Sequence, residues 1–125
     1  MYDEELVKEI LCQIADSIKK IQRRFQLIKN SDDFLDSEEG QDKLDSICMQ
    51  LIAIGESLKN IDKITEGKLL IKYSEIEWKK AKGMRDIITH HYFDLDAEIV
   101  FSVCKDEIPA MNTTIRKMID DFQRK

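Results

Sequence analysis

DEELVKEILCQIADSIKKIQRRFQLIK, residues 3–29, decides the fold: Val7, Leu11, Ile14, Ile18, Ile21, Phe25 and Ile28 follow one another at alternating spacings of four and three. Helix geometry brings such positions onto one face, so the stretch predicts a long helix that packs lengthwise on partners. The polar run at 30–36 reads as the loop after it. A second helix, at about 37–60, carries Leu44, Ile47, Cys48, Leu51, Gly55 and Leu58 on one side. Glycine inside a helix costs about 1 kcal/mol relative to alanine, so Gly55 predicts the close approach of another backbone or side chain.

Residues 62–73, with Thr65-Glu66-Gly67, suggest a turn or one short helix. Ser74 and Glu77 have capping-box spacing and predict a third helix opening there and running to about His91. Asp94 or Asp96 can cap a fourth at about 96–123, where Ile108, Met111, Ile115, Met118 and Phe122 repeat the three-four spacing. Pro109 should start a new helical piece or bend the existing one. Short loops between long amphipathic helices predict an all-α protein, an antiparallel four-helix bundle with an additional short helix. At 125 residues the chain is expected to be one domain, 1–125.

Composition agrees with a helical protein: one proline and four glycines leave few turns, and no sheet pattern competes. Cys12, Cys48 and Cys104 are odd in number and far apart, which disfavours a disulfide framework or a zinc site and predicts reduced core residues. Trp78, Met111 and Met118 read as core or interface. The N-terminus is acidic, and no apolar run approaches the roughly 20 residues of a membrane span, so a cytoplasmic location without membrane partners is expected. A net charge of -5 excludes nonspecific coating of nucleic acid, which needs a broad positive field. A small site is compatible, since Lys68, Lys72, Lys79, Lys80, Lys82 and Arg85 cluster while acids dominate residues 32–45.

That cluster runs into RDIITHHY, residues 85–92, which holds both histidines of the chain. A guanidinium grips phosphate through a fork of donors, and an imidazole moves a proton near neutral pH. Together they are phosphate chemistry that asks for no metal or other cofactor. The histidines are adjacent, about 100° apart on a helix, with no His-x3-His or paired-cysteine spacing, so a metal site is not expected.

Written R-x4-H-x-Y, the stretch resembles the signature of the HepT-like toxins, a branch of the HEPN superfamily of small helical nucleases. Ala53-Ile54-Gly55-Glu56-Ser57 is similar to that family's glycine-glutamate segment, residues 77–85 (EWKKAKGMR) to its run into the motif, and Pro109 to its late proline. The likeness covers roughly residues 5–120, and its specificity lies in these landmarks and their order. Asp86 departs from the pattern, which commonly has a polar amide there. The resemblance implies a HEPN-like fold, a homodimer, RNA as substrate and a minimal nucleotidyltransferase as cognate antitoxin. It implies Arg85 and His90 as the catalytic pair and Tyr92 as the site where that partner attaches AMP. Physically, a bulky anionic adduct beside Arg85 would fill the phosphate groove and neutralise its cation.

Arg85 and His90 differ by roughly 140° on a regular helix, so one ideal helix does not make them meet. Either the helix unwinds near His90, as Thr89 and the Ile87-Ile88 pair would allow, or two copies face one groove. Paired imidazoles would then supply the base and the acid that cleavage through a ribose 2′-hydroxyl requires. Asp86, four residues before His90, is a candidate to orient the imidazole, and Glu56 to hold Arg85. Lys79, Lys80 and Lys82 are candidate RNA contacts. Two rival readings are a non-catalytic adaptor or substrate subunit for a nucleotidyltransferase, and a purely structural bundle.

Overall fold

A computed structural model describes residues 2–124, except for the side chain of Tyr92. Every regular element among the described residues is helical. Asp3 caps α1 (Glu4–Phe25), taking the Leu6 amide on its carboxylate, with glutamates in the first turn and arginines in the last, as the helix dipole favours. Val7, Leu11, Ile14, Ile18 and Ile21 are buried, each contributing roughly 1.5–3 kcal/mol. The helix ends before residue 29, but a turn in which the Ile28 amide donates to the Phe25 carbonyl still returns Ile28 to the core. The polar loop is less open than its composition implies: a 3₁₀ turn, Ser31–Phe34, plunges Phe34 fully into the interior.

Ser37 caps α2 (Glu38–Thr65), which outruns its expected end and stops where Glu66 and Gly67 turn left-handed, φ 54° and 72°. After a 3₁₀ turn at Leu70–Lys72 comes α3 (Trp78–His90). The Ser74–Glu77 capping box does not form. Glu77 holds the cap position without a side-chain hydrogen bond, and the entry is fixed by burial instead, the Trp78 indole N–H donating to the Tyr73 carbonyl at 2.8 Å.

Asp96 caps α4 (Ala97–Ser102), which passes through a π-helical turn, Val103–Glu107, into α5 (Ile108–Gln123). Pro109 explains the widening: it lacks an amide proton and its ring crowds the carbonyl four residues back, so the Ile108 amide reaches Val103 instead, five back. Cys48 and Cys104 are buried, their thiols pushed up to about 11 and about 12 by desolvation; Cys12, expected in the core, lies on the exposed side of α1.

Helix α1 packs on α2 and α5, and α2 carries α3 on its other side. Because α3 packs chiefly on α2, an apolar groove of about 610 Å³ opens between it and the α4–α5 segment, lined by Met84, Ile87, Ile99 and Met111 among others. No helix among the described residues is long and apolar enough to cross a membrane.

Candidate active site

Gly55 sets the site up. A Cβ there would lie 2.9 Å from Arg85 Cβ and 3.4 Å from the Lys82 carbonyl, so only glycine lets α3 approach α2 this closely. The approach brings Glu56, next to it, onto the arginine: Arg85 Nε is 2.6 Å from Glu56 Oε1. The other arm of the guanidinium turns along its own helix, Nη1 donating to Asp86 Oδ1 at 2.9 Å.

His90 stands one turn beyond Asp86, its Nδ1 2.9 Å from the Asp86 backbone carbonyl. A carbonyl only accepts, so Nδ1 is the donor in this contact and Nε2 is the ring nitrogen left to exchange a proton. The residue is exposed. Asp86 therefore orients the imidazole through its backbone, while its carboxylate serves Arg85.

The helix does not unwind to make this arrangement. It stays α-helical through His90, the Thr89 hydroxyl donating to the Arg85 carbonyl at 2.7 Å and the His91 amide to Ile87 at 3.1 Å. What relates the two groups is Asp86, which holds the guanidinium by its side chain and the ring by its main chain.

One participant escaped sequence reasoning: Lys59 Nζ is 3.7 Å from Asp86 Oδ1. Its signal was its place three residues after Glu56, on the same face of α2. The Asp86 carboxyl is held below its usual range first by the Arg85 hydrogen bond and then by the Lys59 charge. Arg85 in turn is held more firmly protonated, first by Asp86 and then by Glu56.

The three lysines proposed for RNA do not form one patch. Lys82 pairs with Asp62 on α2, Lys80 lies on the groove side at 2.7 Å from Glu107, and Lys79 is exposed. The expected modification of Tyr92 falls on a side chain outside the described residues; its backbone lies in a short 3₁₀ turn just after α3. Among the described residues no group of three or more His, Cys, Asp or Glu side chains is placed to hold a metal ion.

Residues 14–118 match a family model described as HepT-like, ribonuclease HepT-like. Among curated proteins, the chain is 31% identical over 94% of its length to a protein of Methanocaldococcus jannaschii named "Gamma-glutamylcyclotransferase and putative RNase", of which it spans only half. A "Putative RNase" of the same organism is 27% identical, with 94% of this chain and 90% of that protein covered. A "Probable ribonuclease HepT" of Thermococcus cleftensis is 31% identical, covering 89% and 94%. No solved structure matches.

Proposed function

The chain belongs to the HepT-like ribonuclease family, and from that premise we propose that it is the toxin of a two-component pair, a metal-independent endoribonuclease silenced when its partner, a minimal nucleotidyltransferase, attaches AMP to Tyr92. The proposal includes a single HEPN-like antiparallel bundle acting in the cytoplasm as a homodimer. The observation that supports it is the double hold of Asp86, by its carboxylate on the Arg85 guanidinium and by its backbone carbonyl on His90 Nδ1.

In this mechanism His90 Nε2 takes the proton of a ribose 2′-hydroxyl. The freed oxygen attacks the adjacent phosphorus, forming the O2′–P bond as the P–O5′ bond breaks. The leaving 5′-oxygen receives a proton from an imidazolium, and a second His90 from a facing copy supplies it. Arg85 stabilises charge building on the phosphate oxygens. The homodimer is supported by the groove beside α3, where Ile87 of the motif helix is 47% exposed although apolar.

One observation favours the rival reading of a non-catalytic adaptor: Arg85 already faces two carboxylates, Glu56 and Asp86. Incubation with RNA under chelation separates the readings. The unmodified protein is expected to cut; a folded protein that cuts nothing yet binds a nucleotidyltransferase would favour the adaptor.

Silencing has its own readout. After co-expression with a minimal nucleotidyltransferase, mass spectrometry should find an AMP adduct on Tyr92 and cleavage should be lost. Tyr92→Phe should carry no adduct and stay active in the same cells. An adduct elsewhere, or silencing that persists in Tyr92→Phe, would contradict the assignment.

A further inference from the structure

Two cations from two helices meet on a single oxygen. Arg85 Nη1 lies 2.9 Å from Asp86 Oδ1 and Lys59 Nζ 3.7 Å from the same atom. At the longer distance the ammonium is paired by charge without a hydrogen bond, so its three donors are not committed to the carboxylate. The cluster opens to solvent, with the Lys59 and Asp86 side chains 41% and 50% exposed. A non-bridging phosphate oxygen resembles a carboxylate oxygen in charge and in the donors it accepts, so it suits the same place. His90 hangs from the backbone carbonyl of the same Asp86, one turn further on, so the imidazole and the carboxylate share one anchoring residue.

We propose that Lys59 and Arg85 together seat one backbone phosphate of the RNA, and that the Asp86 carboxylate is a built-in occupant which the phosphate displaces. This rests on the ribonuclease reading and adds to it a second binding cation and an inhibitory sign for Asp86. Displacement leaves the imidazole in place, because His90 is held by the Asp86 main chain. Protonation does not vacate the seat near neutral pH, since both cations keep the Asp86 carboxyl ionised. A plain surface ion pair, in contrast, would leave RNA binding indifferent to either residue.

The test measures binding of a fluorescent single-stranded RNA by anisotropy across a salt series with metal chelated, in a His90→Ala background so that the RNA survives. Lys59→Met should weaken binding and make log affinity against log salt shallower by about 0.7, the slope of one phosphate contact on a single strand. Asp86→Asn should instead tighten binding by roughly fivefold, the worth of one charge contact at about 4 Å in water. Lys20→Met on α1 changes net charge as Lys59→Met does and should leave the slope alone. Thermal melts check that every variant is folded. A slope unmoved by Lys59→Met, or an Asp86→Asn variant that binds no tighter, overturns the seat and leaves the ribonuclease reading standing. If the wild-type protein neither cuts nor binds RNA, both fall.

Discussion

His90→Ala should lower RNA cleavage by about 10²–10⁴-fold, the usual worth of a positioned proton-transfer group, while the unfolding transition stays where it was. The ring is exposed and hydrogen-bonds the Asp86 carbonyl of its own helix, so its removal leaves the core unchanged. The loss should lie in kcat, because proton transfer belongs to the transition state and the proposed grip on RNA is assigned to the cations. Mixing should be informative too. If the acid and base come from two copies, His90→Ala subunits combined with wild-type subunits should poison the mixed dimers. Full cleavage by the folded variant would remove His90 from the mechanism.

Arg85→Ala should cost about 10²–10³-fold, as loss of one transition-state charge donor does elsewhere. Here the deletion does more than remove a cation. It strips the Glu56 carboxylate of its Arg85 partner and leaves Asp86 paired with Lys59, so the proposed phosphate would meet two carboxylates that Arg85 had neutralised. Arg85→Lys should recover only part of the rate, because a point-charge ammonium cannot span Glu56 on one side and Asp86 on the other as the planar fork does. Steady-state kinetics on one short RNA would show this as wild type, then lysine, then alanine. A lysine variant equal to wild type would mean that only net charge matters at this position.

Helices were legible in the sequence wherever an apolar stripe persisted, because burial of a continuous face overrides local preference. The stripe of α1 and the late one of α5 appear as buried rows. Boundaries were less legible where buried anchors decide them. Trp78 and Phe34 set an entry and a loop that the polar residues around them conceal. Pro109 announced an irregularity, but whether it would appear as a bend, a break or a π turn depends on which carbonyl the chain can still reach.

For the site, Arg85 and His90 could be picked out from residue type and order, and Gly55 from its cost inside a helix. Their relation could not be. A helical wheel keeps Arg85 and His90 apart, and only side-chain reach shows that Asp86 holds both by different atoms. Lys59 carried no motif and became visible once α2 and α3 were set side by side. The lysines that cluster in sequence part in space, Lys80 toward Glu107 and Lys82 toward Asp62, which sequence proximity alone does not show.

If an imidazole and a guanidinium of this chain cut RNA through its own 2′-hydroxyl, the ends of the products carry the signature. With unmodified protein, chelated metal and a short labelled RNA, mass spectrometry should find 2′,3′-cyclic phosphates on the upstream fragments and 5′-hydroxyls on the downstream ones. A matched substrate with 2′-deoxyribose at the cleaved position should stay whole. Cleavage of the deoxy substrate, or 5′-phosphates on the downstream fragments, would contradict the account.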